Sequence, residues 1–151
     1  MKSVDLLCID DRLPALEHRK AALEPHGYNV KVASSGPVAM KILQEAPVSA
    51  VLLEYRFEGM DVEAVACQIK RRFPSQPIIL LSGYAEVPER MLWLVDEYVM
   101  KSEMPAGLVN IIERLTSQSV SAPAGASGPQ GFVRREDERR DETWRRATVA
   151  A

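Results

Sequence analysis

Short apolar runs alternate with amphipathic segments along the first part of the chain. Two of these runs, Ala50 to Leu53 and Ile78 to Leu81, are apolar at every position, which is typical of central strands that are covered on both faces. Together the runs predict five strands, at Val4 to Ile9, Asn29 to Val32, Ala50 to Leu53, Ile78 to Leu81 and Tyr98 to Met100.

The segments between the runs carry apolar residues at helical spacing. A helix is predicted from about Val62 to just before Phe73, with Val65, Ala66 and Ile69 facing inward. The same spacing predicts helices around Leu16, Ala22 and Leu23, around Val38, Ile42 and Leu43, and around Leu108, Ile111, Ile112 and Leu115, while Pro88 begins a short fourth helix. This repeated strand and helix pattern predicts an α/β fold with a five-stranded, doubly wound parallel sheet and helices on both faces.

Composition limits the number of domains. The chain has 151 residues, 46% of them hydrophobic and 26% charged, which suits one well-buried core rather than two. We predict one domain over residues 1–116, a linker rich in Ser, Ala, Pro and Gly over residues 117–131, and a charged, disordered tail over residues 132–151. The net charge of -2 argues against nucleic-acid binding through bulk charge.

The N-terminal region has neither the apolar length nor the charge of a secretory signal peptide. No stretch approaches the ~20 apolar residues that would span a bilayer. Cys8 and Cys67 lie in apolar patterns without a Cys or His at metal-binding spacing, so we expect buried structural thiols. These features favour the cytoplasm.

Polar side chains follow four of the predicted strands. Asp10 and Asp11 come after the first strand, Glu54 after the third, Ser82 after the fourth and Lys101 after the fifth. Functional residues of a doubly wound sheet gather at the carboxyl ends of its strands. Carboxylates suit Mg²⁺, and a hydroxyl and an ammonium group suit phosphoryl oxygens. The sequence therefore predicts a site of phosphoryl-transfer type.

This order of residues resembles the response regulator receiver domain of bacterial two-component systems over residues 4–116. Tyr98, three residues before Lys101, adds to the resemblance. The resemblance implies a flavodoxin-like (βα)5 fold with strand order 2-1-3-4-5. It also implies the following roles: Glu54 at the phosphoacceptor position, Asp10 and Asp11 as Mg²⁺ ligands, Ser82 and Tyr98 as switch residues, and Lys101 as the phosphoryl contact.

Glu54 stands where the family has an aspartate. Its extra methylene moves the attacking oxygen by roughly 1 Å, and such a misplacement can cost on the order of 10²-fold in rate. The longer side chain can instead push a permanent negative charge toward Lys101 and Ser82, partly imitating phosphorylation. We therefore predict a receiver that works independently of phosphorylation, in which Mg²⁺ binding is weakened or lost.

The leading hypothesis is a single-domain signalling module, not an enzyme, that acts through protein contacts. Its expected partners are a sensor histidine kinase or another signalling protein, and a second copy of the chain bound through the fourth helix, fifth strand and fifth helix, near Trp93. The main alternative is a conventional Mg²⁺-dependent phosphoacceptor receiver. An enzyme of haloacid-dehalogenase type is disfavoured because Asp10-Asp11-Arg12 lacks the Asp-x-Asp order. DNA binding by the Arg-rich tail is disfavoured by its interleaved acids.

Overall fold

The structure is a computed structural model that describes residues 4–55, 60–83 and 86–121. Five strands alternate with five helices. In chain order they are β1 Val4–Ile9, α1 Leu13–Leu23, β2 Tyr28–Ala33, α2 Gly36–Glu45, β3 Ala50–Tyr55, α3 Val62–Arg72, β4 Ile78–Ser82, α4 Glu89–Leu94, β5 Glu97–Met100 and α5 Ala106–Ser121, with short 3-10 turns at Glu24–His26 and Lys101–Glu103.

The five strands form one parallel sheet in the order β2-β1-β3-β4-β5. This confirms the predicted α/β class, the doubly wound sheet and the strand order. The order changes direction between β1 and β3, which lie side by side with Ile9 opposite Leu53. The carboxyl ends of these two strands therefore meet where a doubly wound sheet places its functional residues.

The core explains why the central strands contain so few polar residues. Every residue of β3 and β4 is buried, because helices cover both faces of these strands. On the face covered by α1 and α5, a hydrophobic cluster joins Leu16 and Leu23 of α1 to Leu52 of β3 and to Leu108 and Ile112 of α5. This packing fixes the position of α1 relative to the ends of β1 and β3.

A side-chain cap marks the start of α2. The Ser35 hydroxyl accepts a hydrogen bond from the Val38 amide (3.4 Å) at the start of α2. Val38 itself is 43% exposed, so it does not share the buried side of α2 with Leu43, with which the helical spacing had grouped it. The buried face of α2 passes instead through Ala39, Met40 and Leu43, because the helix begins at Gly36 and three- or four-residue steps from there reach these positions.

The last helix is longer than predicted. α5 continues to Ser121, so residues 117–121, which were predicted as the start of the linker, are helical. No proline occurs between Pro105 and Pro123 to stop the helix. The rest of the predicted linker and the whole tail lie outside the described residues.

The sheet and the site belong to one compact unit, residues 1–115, and residues 116–151 form a second unit. Among the described residues, no helix is long and apolar enough to cross a membrane.

Gly27 allows the turn between α1 and β2, and its replacement should destabilise the domain. Its φ of 91° is a left-handed conformation that residues with a Cβ rarely adopt. A Cβ at position 27 would meet no atom within 4 Å, so the cost of Gly27→Ala is conformational, about 1 kcal/mol. Urea unfolding should show this loss, and Gly27→Asn should lose less, since asparagine tolerates left-handed backbone. Equal losses for both variants would contradict this explanation.

Candidate functional site

Four polar or charged side chains are buried among the described residues: Asp10, Arg19, Glu54 and Ser82. Asp10, Glu54 and Ser82 come from the carboxyl ends of β1, β3 and β4, while Arg19 comes from α1. Removing charges from water is costly unless each charge is paired. The pairing of these groups therefore determines what the site can do.

Glu54 pairs with two cations. Its Oε2 atom accepts a hydrogen bond from Nη1 of Arg19 at 3.1 Å, and its Oε1 atom forms an ion pair with Nζ of Lys101. Glu54 is only 1% exposed and Arg19 only 8%, whereas Lys101 is 36% exposed at the edge of the site. Each carboxylate oxygen thus has its own positive partner. The predicted pairing of Glu54 with Lys101 is confirmed.

Arg19 was not predicted from the sequence. The helical spacing of this segment was recognised from Leu16, Ala22 and Leu23, but the buried residues of α1 are Leu16, Arg19 and Leu23. A signal was present, since Arg19 lies three residues after Leu16 and four before Leu23, which is the spacing of one helix face. A long charged side chain at such a position is normally expected to reach back to solvent. Here it points to a buried carboxylate instead.

The two aspartates predicted to bind Mg²⁺ lie in different environments. Asp10 is buried, and its Oδ1 atom accepts a hydrogen bond from the Arg12 amide at 3.0 Å. Asp11 is exposed. Within the described ranges, no three acidic, histidine or cysteine side chains are grouped so that they could hold a metal ion. With Glu54 bound to two cations, the residues present do not fit a divalent-metal site in this arrangement.

Ser82 and Tyr98, the predicted switch residues, are in contact. The Ser82 side chain hydrogen-bonds to the Tyr98 phenol. Partial burial raises the pKa of Tyr98 above its usual value of 10.0; the hydrogen bond from Ser82 opposes this rise, and the nearby negative charge of Glu103 adds to it. The phenol is therefore neutral at physiological pH and available as a hydrogen-bonding group beside the site.

The Cys8 thiol of β1 lies within electrostatic range of Asp10, Arg19 and Glu54. Burial raises the pKa of its thiol from 9.0 to about 12; the Arg19 charge lowers it, and the Asp10 and Glu54 charges raise it. All three charged side chains are therefore near the same point of β1. The predicted burial is confirmed for Cys8, whereas Cys67 is only partly buried.

Comparison with known proteins identifies the family. Residues 6–113 match the response regulator receiver domain, and the chain belongs to this family. Such domains are the receivers of two-component signalling, so the predicted class of the protein is confirmed.

Relatives of this chain include longer response regulators. An NtrX-like response regulator of Rickettsia felis is 36% identical over 89 residues, which cover 58% of this chain and 19% of the relative. The transcriptional regulatory protein ZraR of Escherichia coli K12 is 32% identical over 85 residues, covering 56% and 19%. The match thus spans about a fifth of the length of these relatives.

Solved structures show the same fold. The response regulator TrrA of Thermotoga maritima, solved in complex with Mg²⁺ and BeF, is 28% identical with a TM-score of 0.66, over 74% of this chain and 98% of TrrA. A second structure, the complex of the histidine kinase ThkA with TrrA, matches over 74% of this chain and 97% of the compared chain, with the same identity and TM-score.

Loss of the Arg19 charge should be strongly destabilising. Arg19→Met removes one partner of a buried ion pair, which we expect to cost about 3–5 kcal/mol at neutral pH. Adding Glu54→Gln should recover part of this loss, because the buried carboxylate is then uncharged. Urea unfolding of the two single variants and the double variant measures this coupling.

The matched control is an exposed pair. Arg90 is bound to Glu63 by an ion pair of 2.5 Å and is 73% exposed, so Arg90→Met should cost less than about 1 kcal/mol. A cost for Arg19→Met no larger than this would contradict the description of the Arg19 and Glu54 pair as a buried structural interaction.

The two cysteines should differ in reactivity. Cys8 is fully buried and its pKa is about 12, so iodoacetamide at pH 8 should label Cys67 and leave Cys8 unmodified until the domain unfolds. Above pH 9.0 the unfolded thiol loses its proton while the folded thiol keeps it until about pH 12, so this thiol makes stability fall as pH rises across that interval. Rapid labelling of Cys8 in the folded protein would show that the core under the site is open.

Proposed function

We propose that this receiver domain signals through protein contacts without phosphorylation of Glu54. The observation that carries the proposal is the buried carboxylate of Glu54, which is paired on one oxygen with Arg19 and on the other with Lys101. The domain then acts by presenting a surface and not by catalysing a reaction.

Phosphoryl transfer needs an accessible nucleophile. A carboxylate oxygen must approach the phosphorus atom in line with the leaving group, and the developing charge needs a cation that is not already neutralised. Glu54 is almost completely buried, and one of its cations is the lysine that the family resemblance assigns to the phosphoryl group. Phosphorylation would require both ion pairs to rearrange.

The same ion pair supports a partly active conformation. A phosphoryl group on an aspartate would place negative oxygens near Lys101, and the longer glutamate side chain places a permanent negative charge there. The carboxylate supplies less charge and fewer acceptor atoms than a phosphoryl group, so the imitation is incomplete. We infer that Glu54 biases the domain toward the signalling state without a kinase.

The partner surface includes α4. Trp93 of this helix is 61% exposed, and an exposed tryptophan contributes strongly to protein interfaces. We propose that α4, β5 and α5 bind a partner in the cytoplasm, either a sensor histidine kinase or another signalling protein, or a second copy of the chain. Similarity to TrrA, which has been solved in complex with the histidine kinase ThkA, supports the first of these.

Exposure to a phosphodonor tests the proposal. We expect no phosphoryl group on the protein after incubation with acetyl phosphate and Mg²⁺, because Glu54 is paired and buried; intact-protein mass spectrometry measures this. In a Trp144→Phe background, Trp93 emission should also ignore beryllofluoride with Mg²⁺. TrrA, which forms such a complex, is the positive control.

Two further variants test the conformational bias. Glu54→Gln removes the charge at nearly constant shape, and Lys101→Met removes its partner at the edge of the site. Both should change Trp93 emission if the ion pair maintains the conformation of the α4 region.

A phosphoryl group found on wild-type Glu54, or a response to beryllofluoride as large as that of TrrA, would establish the alternative, a conventional Mg²⁺-dependent phosphoacceptor.

A further inference from the structure

We propose that the guanidinium group of Arg19 is the resident cation of this acidic site and takes the place that a divalent metal would otherwise occupy. The inference rests on the proposed function, because both depend on a paired Glu54, but it makes a separate claim about metal binding. It assigns Arg19 a role as a positioning residue that acts through Glu54.

Arg19 supplies one of the positive charges that neutralise the acids of the site. Asp10 and Glu54 contribute two buried negative charges, and Arg19 and Lys101 are the two cations paired with Glu54. Loss of Arg19 would leave a larger excess of negative charge among Asp10, Glu54 and the neighbouring Asp11. Such an excess is what a divalent cation neutralises in an oxygen-rich site. With Arg19 present, an added divalent cation would be repelled by the guanidinium.

The carboxylate geometry leads to the same conclusion. A metal ion entering the site would have to compete with Arg19 for Oε2 of Glu54, which lies 3.1 Å from Nη1. A guanidinium group keeps its charge and offers donors in a fixed planar arrangement, so it is well suited to hold a buried carboxylate. Among the described residues, no three acidic, histidine or cysteine side chains are grouped so that they could hold a metal ion, and the Glu54 carboxylate is paired with two cations of the chain.

Arg19 and Glu54 form a matched pair. They are 35 positions apart in the sequence, on α1 and β3, and Arg19 lies between the core residues Leu16 and Leu23 on the buried face of its helix. An apolar residue would pack at this position without a charge to neutralise. The buried carboxylate of Glu54 therefore accounts for an arginine on this face of α1. The single substitution Glu54→Asp would leave the guanidinium group in the site.

Metal titration of paired variants tests the inference. Isothermal calorimetry with MgCl₂, supported by electron paramagnetic resonance with Mn²⁺, is applied to the full chain as wild type, as Glu54→Asp, and as the double variant Arg19→Leu with Glu54→Asp. We expect saturable binding in the double variant. The other two proteins should show no saturation even at metal concentrations about tenfold higher. Circular dichroism confirms that each variant is folded.

A charge-conserving variant separates charge from space. Arg19→Lys with Glu54→Asp retains a cation at position 19 and should not bind metal. If Arg19 excluded metal only by its size, this lysine variant would bind metal as the leucine variant does. Saturable Mg²⁺ binding by Glu54→Asp alone would overturn the inference, and this result can be read even if the leucine variant fails to fold. Saturable Mg²⁺ binding by the wild type would also overturn it.

The two proposals fail in different ways. Phosphorylation of wild-type Glu54 would contradict the proposed function. An Mg²⁺ affinity that does not change with the charge at position 19 would contradict only the role of Arg19 as the resident cation.

Discussion

The buried ion pair between Arg19 and Glu54 is the interaction on which the site depends. A carboxylate that closes an apolar strand has left water and must be neutralised where it stands. Arg19 does this from α1 and Lys101 does it from the end of β5. Because a buried charge without its partner is so costly, these three side chains constrain one another.

The fold makes this arrangement available. The sheet order brings the ends of β1 and β3 together, and the apolar packing of Leu16 and Leu23 fixes α1 over them. The same framework supports Mg²⁺ and BeF binding in the complex of TrrA. In this chain the same architecture places Arg19 and Glu54 together at the ends of β1 and β3.

Hydrophobic patterning predicted the five strands and the α/β fold class well, because β3 and β4 are buried throughout and each appears in the sequence as an uninterrupted apolar run. It misplaced Val38, since the phase of a short helix depends on where its first turn begins. Arg19 was missed for a different reason. Periodicity ranks residues by hydrophobicity, and an inward-facing arginine becomes recognisable only when its distant partner, Glu54, is placed beside it by tertiary structure.

The central claim is that a guanidinium group is held on a buried carboxylate, and side-chain NMR of Arg19 tests it most directly. In ¹⁵N-labelled wild type, the ion pair should slow rotation of the Arg19 guanidinium and give separate Nη signals at low temperature. Glu54→Gln should weaken this restraint, so that the signals move together. If Arg19 in the wild type instead gives the single averaged Nη signal of a freely rotating, solvent-exposed guanidinium, the pair does not form and the central claim is wrong.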